Sequence, residues 1–87
     1  MSDYKAKAII LASGPGDATV RDAVVKNISS TLMPFQHTVL EKQSIALSGR
    51  VIIAVEIGLD PAHVRAIETD LSSSLKSVNF DLALEIV

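Results

Sequence analysis

The chain has 87 residues, 48% of them hydrophobic and only 3% aromatic, with 8 Lys+Arg against 10 Asp+Glu for a net charge of −2. That length supports one domain with one core, and the scattered, slightly acidic charge lacks the basic stripe and stacking aromatics of a nucleic-acid binder. The absence of cysteine excludes disulfides, zinc–thiolate sites and a thiol nucleophile. No apolar run reaches the roughly 18 residues of a membrane span. The opening residues Met1 to Lys7 carry no apolar signal-peptide core. The expectation is a soluble, cytoplasmic domain with neither nucleic acid nor membrane as partner.

Residues 4–12 read as a strand. Ala8-Ile9-Ile10-Leu11-Ala12 is apolar in both registers, as a strand covered on both faces requires. It gives way to Ser13-Gly14-Pro15-Gly16-Asp17, the densest cluster of turn residues in the chain. Asp17 is placed to cap a helix. Val20, Val24, Ile28 and Leu32 then recur at spacings of four, with Arg21, Asp22, Lys26 and Ser29 turned to water. Pro34 stops that helix, since proline disfavours helical geometry in the residue before it.

Residues 36–48 have no helical stripe and alternate as a strand does. Val39, Glu41, Gln43, Ile45 and Leu47 fall on one face, and Leu40, Lys42, Ser44 and Ala46 on the other. Ser48-Gly49-Arg50 makes a tight turn in which Gly49 is free to take positive φ. The returning strand, 51–57, sets Val51, Ile53, Val55 and Ile57 on one face and Ile52, Ala54 and Glu56 on the other. Gly58-Leu59-Asp60-Pro61 ends it, with Asp60 as N-cap and Pro61 at the first helical position. Val64, Ile67, Leu71, Leu75 and Val78 form the stripe of this second helix. Phe80 to Val87 closes the chain by alternation, with Phe80, Leu82, Leu84 and Ile86 inward and Asp81, Ala83 and Glu85 outward.

The order βαββαβ predicts an α+β, ferredoxin-like sandwich. A four-stranded antiparallel sheet in the order 4-1-3-2 carries two helices on one face. The other sheet face is left open. Ile52, Ala54 and Ala83, with one register of Ile9 or Leu11, lie on it and are the expected interface residues. A mean hydropathy of +0.38 is high for so short a soluble chain and fits apolar surface kept for a partner.

Catalytic chemistry is hard to assemble here. His37 and His63 fall far apart in the expected topology and read as two ordinary surface histidines, so no metal is expected. No Ser-His-Asp set, nucleophile elbow or phosphate loop is present. An acylphosphatase-type activity needs an arginine in the loop after the first strand, where this chain has Asp17. Asp81 and Glu85 share a face of an edge strand, where carboxylates serve solvation. The chain is therefore not expected to be an enzyme. The loop Ser13 to Thr19 admits two readings, a plain capped turn or a rim of free amides suited to the carboxylate of a small amino acid.

Ala12-Ser13-Gly14-Pro15 and the hairpin Ile45-Ala46-Leu47-Ser48-Gly49-Arg50-Val51-Ile52-Ile53 resemble the ACT domain, a small regulatory βαββαβ module of amino-acid metabolism. The likeness is greatest to the N-terminal ACT domain of bacterial, actinobacterial-type phosphoserine phosphatases. The resemblance implies a homodimer or an association with another ACT or catalytic domain. It also implies an amino-acid effector such as serine, held by Gly14, Gly16, Asp17, Ala18, Thr19 and Glu41. The family's first loop commonly reads Gly-x-Asp-x-Pro-Gly. Here Gly16 stands at the Asp position, Asp17 comes one residue late and Ala18-Thr19 replaces Pro-Gly. Glu41 is the nearest equivalent of an acidic residue often found in the second strand. The phosphatase chemistry of such proteins lies in a Mg2+-dependent domain with an Asp-x-Asp-x-Thr motif, which this chain lacks, so no cofactor is expected in it. Because the chain stops at Val87 within its last predicted strand, it reads as part of a longer enzyme of serine biosynthesis. A stand-alone amino-acid-binding ACT protein and a ligand-free structural dimerisation module remain the alternatives.

Overall fold

The computed structural model describes residues 4–87. The elements follow in the order β1 (Ala6–Pro15), α1 (Ala18–Leu32), β2 (His37–Leu47), β3 (Arg50–Leu59), a 3-10 turn (Pro61–His63), α2 (Val64–Lys76) and β4 (Asp81–Ile86). The sheet runs β2-β3-β1-β4 with every neighbouring pair antiparallel, which is the expected 4-1-3-2 order read from the other edge. This is the ferredoxin-like βαββαβ sandwich. Among the described residues no helix is long and apolar enough to cross a membrane.

β1 is apolar in both registers because it is central. Ala8, Ile10 and Ala12 are buried under the helices, while Ile9 and Leu11 point to the opposite face. The strand also continues through residues that read as a turn. Gly14 pairs with Val51 and Pro15 with Arg50, and Gly16 N–H donates to Gly49 O at 2.9 Å. Pro15 is the last residue of the strand, where its missing N–H removes no interior ladder bond.

The helices follow their stripes with one correction. Val24, Ile28 and Leu32 of α1 and Ile67, Leu71 and Leu75 of α2 are buried against the sheet. Val78 lies beyond the end of α2 and is exposed. Asn79 takes a φ of 63° there and Phe80 N–H donates to Leu75 O at 3.0 Å, closing the helix a turn before the stripe runs out. Where the two helices meet, Ser74 Oγ donates to Asn27 Oδ1, and Thr31 Oγ1 donates to Asn27 O at 2.9 Å.

The β2–β3 hairpin turns on two residues, Ser48 at φ 50° and Gly49 at φ 78°, with Leu47 paired to Arg50. Positive φ at both central positions is the type I′ turn, whose twist matches that of the strands. Further along, β2 departs from simple alternation. Val39 pairs with Ile57 but Glu41 pairs with Glu56, so Leu40 is the extra residue of a β-bulge. Val39 therefore shares the helix-side face with Lys42, Ser44 and Ala46, and parts from Glu41, Gln43, Ile45 and Leu47. The expected grouping of those five residues on one face holds only from Glu41 onward.

Candidate functional site

The first βα loop is built by the start of α1 and the hairpin turn beside it. Asp17 has extended backbone and caps α1, its Oδ1 accepting from Thr19 N at 3.0 Å and Val20 N at 3.1 Å. Arg21 N–H is taken by Asp17 O at 2.9 Å. Of the first-turn amides only Ala18 N–H has no acceptor among the described residues. The rim of free donors expected for a ligand carboxylate is thus mostly filled by the chain's own carboxylate, which also places a negative charge there.

The two loop glycines have packing roles of their own. A Cβ on Gly14 would stand 2.4 Å from Phe80 Cδ1, and one on Gly16, whose φ is +149°, would stand 2.6 Å from the Val20 side chain. Gly14, Gly16, Asp17, Ala18 and Thr19 are brought together at this end of the sheet. Glu41 is not among them. It sits on the open sheet face opposite Glu56, six positions along β3 from Arg50, which lies beside the loop. At about 3.3 Å per residue that is roughly 20 Å away.

The open face is ordered by the strand register. Moving from β2 to β4, one row holds Ile45, Ile52, Ser13 and Asp81, and the next holds Gln43, Ala54, Leu11 and Ala83. The row beyond holds Glu41, Glu56, Ile9 and Glu85, and Leu47, Arg50 and Pro15 complete the other end. Ile52, Ala54 and Ala83 are thus neighbours on one surface. Ile9 and Leu11 share a register, so both join them. Exposure is high for such side chains: Leu47 66%, Ile45 49%, Ile52 46% and Leu11 38%. Ile45, Leu47, Arg50 and Glu56 were not singled out from the sequence for this surface. For Ile45 and Leu47 the usable signal was the β2 alternation, and the pairing of Leu47 with Arg50 across the hairpin turn decides which side it faces.

The histidines differ from expectation, since the structure gathers both at the far end of the sheet. His37 opens β2 opposite Leu59, and the 3-10 turn carrying His63 begins two residues after Leu59. Both flank Phe35. His37 Nδ1 lies 2.7 Å from Phe35 O, so its N–H donates, and the His63 ring sits 6.0 Å from the Phe35 ring at 51°. Among the described residues no cluster of three or more His, Cys, Asp or Glu could hold a metal ion.

No family model and no curated protein matches the chain. Solved structures do. An unknown protein from Galdieria sulphuraria superimposes with a TM-score of 0.77 at 17% identity, over 94% of this chain and 44% of that one. A formyltetrahydrofolate deformylase from Burkholderia mallei gives 0.79 at 14% identity, over 93% of this chain and 28% of the enzyme. An ACT domain protein from Streptococcus pneumoniae gives 0.73 at 12% identity, over 93% of this chain and 89% of that one. The chain spans less than half the length of the first two. Identities this low show a shared fold, the ferredoxin-type sandwich seen in an ACT domain protein, and carry no ligand or activity with them.

Proposed function

We propose that the chain is a regulatory, oligomerising module of ACT type that works by association through its open sheet face. The observation that supports this is the concentration of exposed aliphatics, Leu11, Ile45, Leu47 and Ile52, in adjoining rows around Ala54 and Ala83. Exposed aliphatics scattered singly are ordinary, whereas a contiguous set rimmed by charge is the signature of a contact surface. Sedimentation equilibrium tests the reading. Association that rises with concentration and is lost in Ile52→Lys, with the unfolding midpoint unchanged, is the expected result; a wild-type monomer at millimolar concentration refutes it.

The finer reading is the N-terminal ACT domain of a cytoplasmic phosphoserine phosphatase in serine biosynthesis. It rests on the likeness of the Leu47-Ser48-Gly49-Arg50-Val51 hairpin and the Ala12-Ser13-Gly14-Pro15 strand end. An Asp-x-Asp-x-Thr segment encoded beyond Val87 supports it, and a coding sequence without one leaves the stand-alone ACT protein. Sensing of a small amino acid is favoured by one pairing at the loop, the unengaged Ala18 N–H beside the second carboxylate oxygen of Asp17. These offer a donor and an acceptor to a zwitterion. A thermal shift with millimolar serine or glycine that vanishes in Asp17→Asn is the expected outcome. No shift with any common amino acid leaves the structural role.

A further inference from the structure

We infer that the occupant of the open face is a second copy of this chain, stacked face to face about a two-fold axis crossing β3 over Ile53, so that Arg50 of each copy meets Glu56 of the other. This rests on the reading of that face as the association surface. The argument is one of register and charge.

Two sheets that stack face to face stand about 10 Å apart with their strands within about 30° of each other, so rows of one copy meet rows of the other. An axis parallel to the strands sets every row against itself. The row of Glu41, Glu56 and Glu85 would then meet its own copy, three carboxylates against three. An axis across the strands reverses the rows, and its position selects which rows meet. Over Ala54 it sets Asp81 against Glu85, and over Ile52 it sets Asp81 against its own copy. Over Val55 it lays the Glu56 carboxylate on Ala54.

Over Ile53 no like charges meet; Asp81 is laid on Ala83, but Arg50 and Glu56, which the axis over Val55 does not pair, now face each other. Residues equidistant from the axis meet: Arg50 with Glu56 and Ile52 with Ala54 on β3, Ile45 with Gln43 and Leu47 with Glu41 on β2, and Leu11 with Ser13 on β1. Opposite charges meet at two symmetric places and no like charges do. Arg50 and Glu56 are both available, because the ion pair found among the described residues is Arg21–Asp22. Shape agrees with charge. Ala54 floors a shallow hollow of about 250 Å3 lined by Ile9, Glu41, Gln43, Ala54 and Glu56, and this register brings the partner's Ile52, 46% exposed, onto it.

The size of the contact sets the expected strength. Four strands at about 4.8 Å and eight residues at about 3.3 Å cover about 500 Å2 per copy, or about 1,000 Å2 in total. That is the lower limit for a specific interface, so the dimer is weak, with a Kd in the micromolar range or above.

Charge exchange tests the register. In sedimentation equilibrium at low salt, Arg50→Glu and Glu56→Arg each weaken self-association by about tenfold, since each turns two attractions into two repulsions. The combined Arg50→Glu/Glu56→Arg variant restores it to within about threefold of wild type. Unfolding midpoints show that each variant is folded. A dimer indifferent to both single changes, or a combined variant as weak as the singles, overturns this register while the open face remains the surface. A dimer that survives Ile52→Lys places the contact elsewhere and overturns both, and a wild-type monomer removes the association reading itself.

Discussion

Gly14→Ala offers a sharp test of why glycine stands in the first loop. Gly14 is not among the residues with positive φ, so its backbone accepts alanine, and alanine in a strand is favoured over glycine by about 0.5–1 kcal/mol. The obstacle is Phe80. The new Cβ would lie 2.4 Å from Cδ1, 2.7 Å from Cγ and 2.8 Å from Cε1 of that ring. Carbon atoms pack at about 3.5–4.0 Å, so the ring must retreat by about 1 Å. Phe80 is 5% exposed and belongs to the core, where such overpacking costs about 1–3 kcal/mol. The net expectation is a loss of about 1 kcal/mol, or a fall of roughly 4–8 °C in Tm for a domain this size. Urea unfolding followed by circular dichroism measures it, with an unchanged m-value as the check on two-state behaviour. Phe80→Ala alone costs about 3–5 kcal/mol and is best followed in sulfate, which strengthens burial. On that background Gly14→Ala becomes neutral or stabilising by about 0.5 kcal/mol. Equal cost with and without the ring, or no cost in the wild type, would refute the packing account. A variant that keeps its stability but loses a serine-induced shift would assign the glycine to a ligand instead.

Two more outcomes follow from local geometry. Asp17→Ala frees the amides of Thr19 and Val20 and should cost about 1 kcal/mol in urea unfolding, while Asp17→Asn, which keeps an acceptor, should cost less. Deletion of Leu40 joins Val39 to Glu41 in an unbroken ladder with neither side chain changing face, so it should lower stability by only about 1–2 kcal/mol. Deletion of Ser44 moves residues to the wrong face of β2 and should abolish cooperative unfolding, as read by thermal melts.

Much of the fold was legible because local and global signals agree. The Ala8–Ala12 run announces a central strand, Asp17 and Pro34 bracket α1, and the tight turn read at Ser48-Gly49-Arg50 is there, with Arg50 itself already paired to Leu47 as the first residue of β3. The bulge at Leu40 was not legible. It inserts an ordinary aliphatic residue into a strand with no glycine beside it, and only the partner strand reveals the slip. Val78 continued the α2 stripe in sequence, but the left-handed turn at Asn79 took it out of the helix. Gly14, Gly16, Asp17, Ala18 and Thr19 lie together at one end of the sheet. That Asp17 would occupy its own amides, and that Phe80 would rest on Gly14, depend on contacts between distant segments that no local pattern encodes. Glu41 was grouped with the loop by resemblance, and its strand carries it to the open face.

The placement of β1 governs the order in which the molecule can assemble. It is the earliest of the four strands in the chain and carries a continuous apolar run, yet its two neighbours, β3 and β4, are completed only at Leu59 and Ile86. Until then Ala8-Ile9-Ile10-Leu11-Ala12 has no strand on either side, and after β3 docks it still presents one bare edge. Such an edge, flat and aliphatic, is a template for another unfinished chain. The six residues of β4 therefore act as the seal on the nascent domain, and the interval between synthesis of Ala12 and of Ile86 is the period in which this chain is most exposed to aggregation.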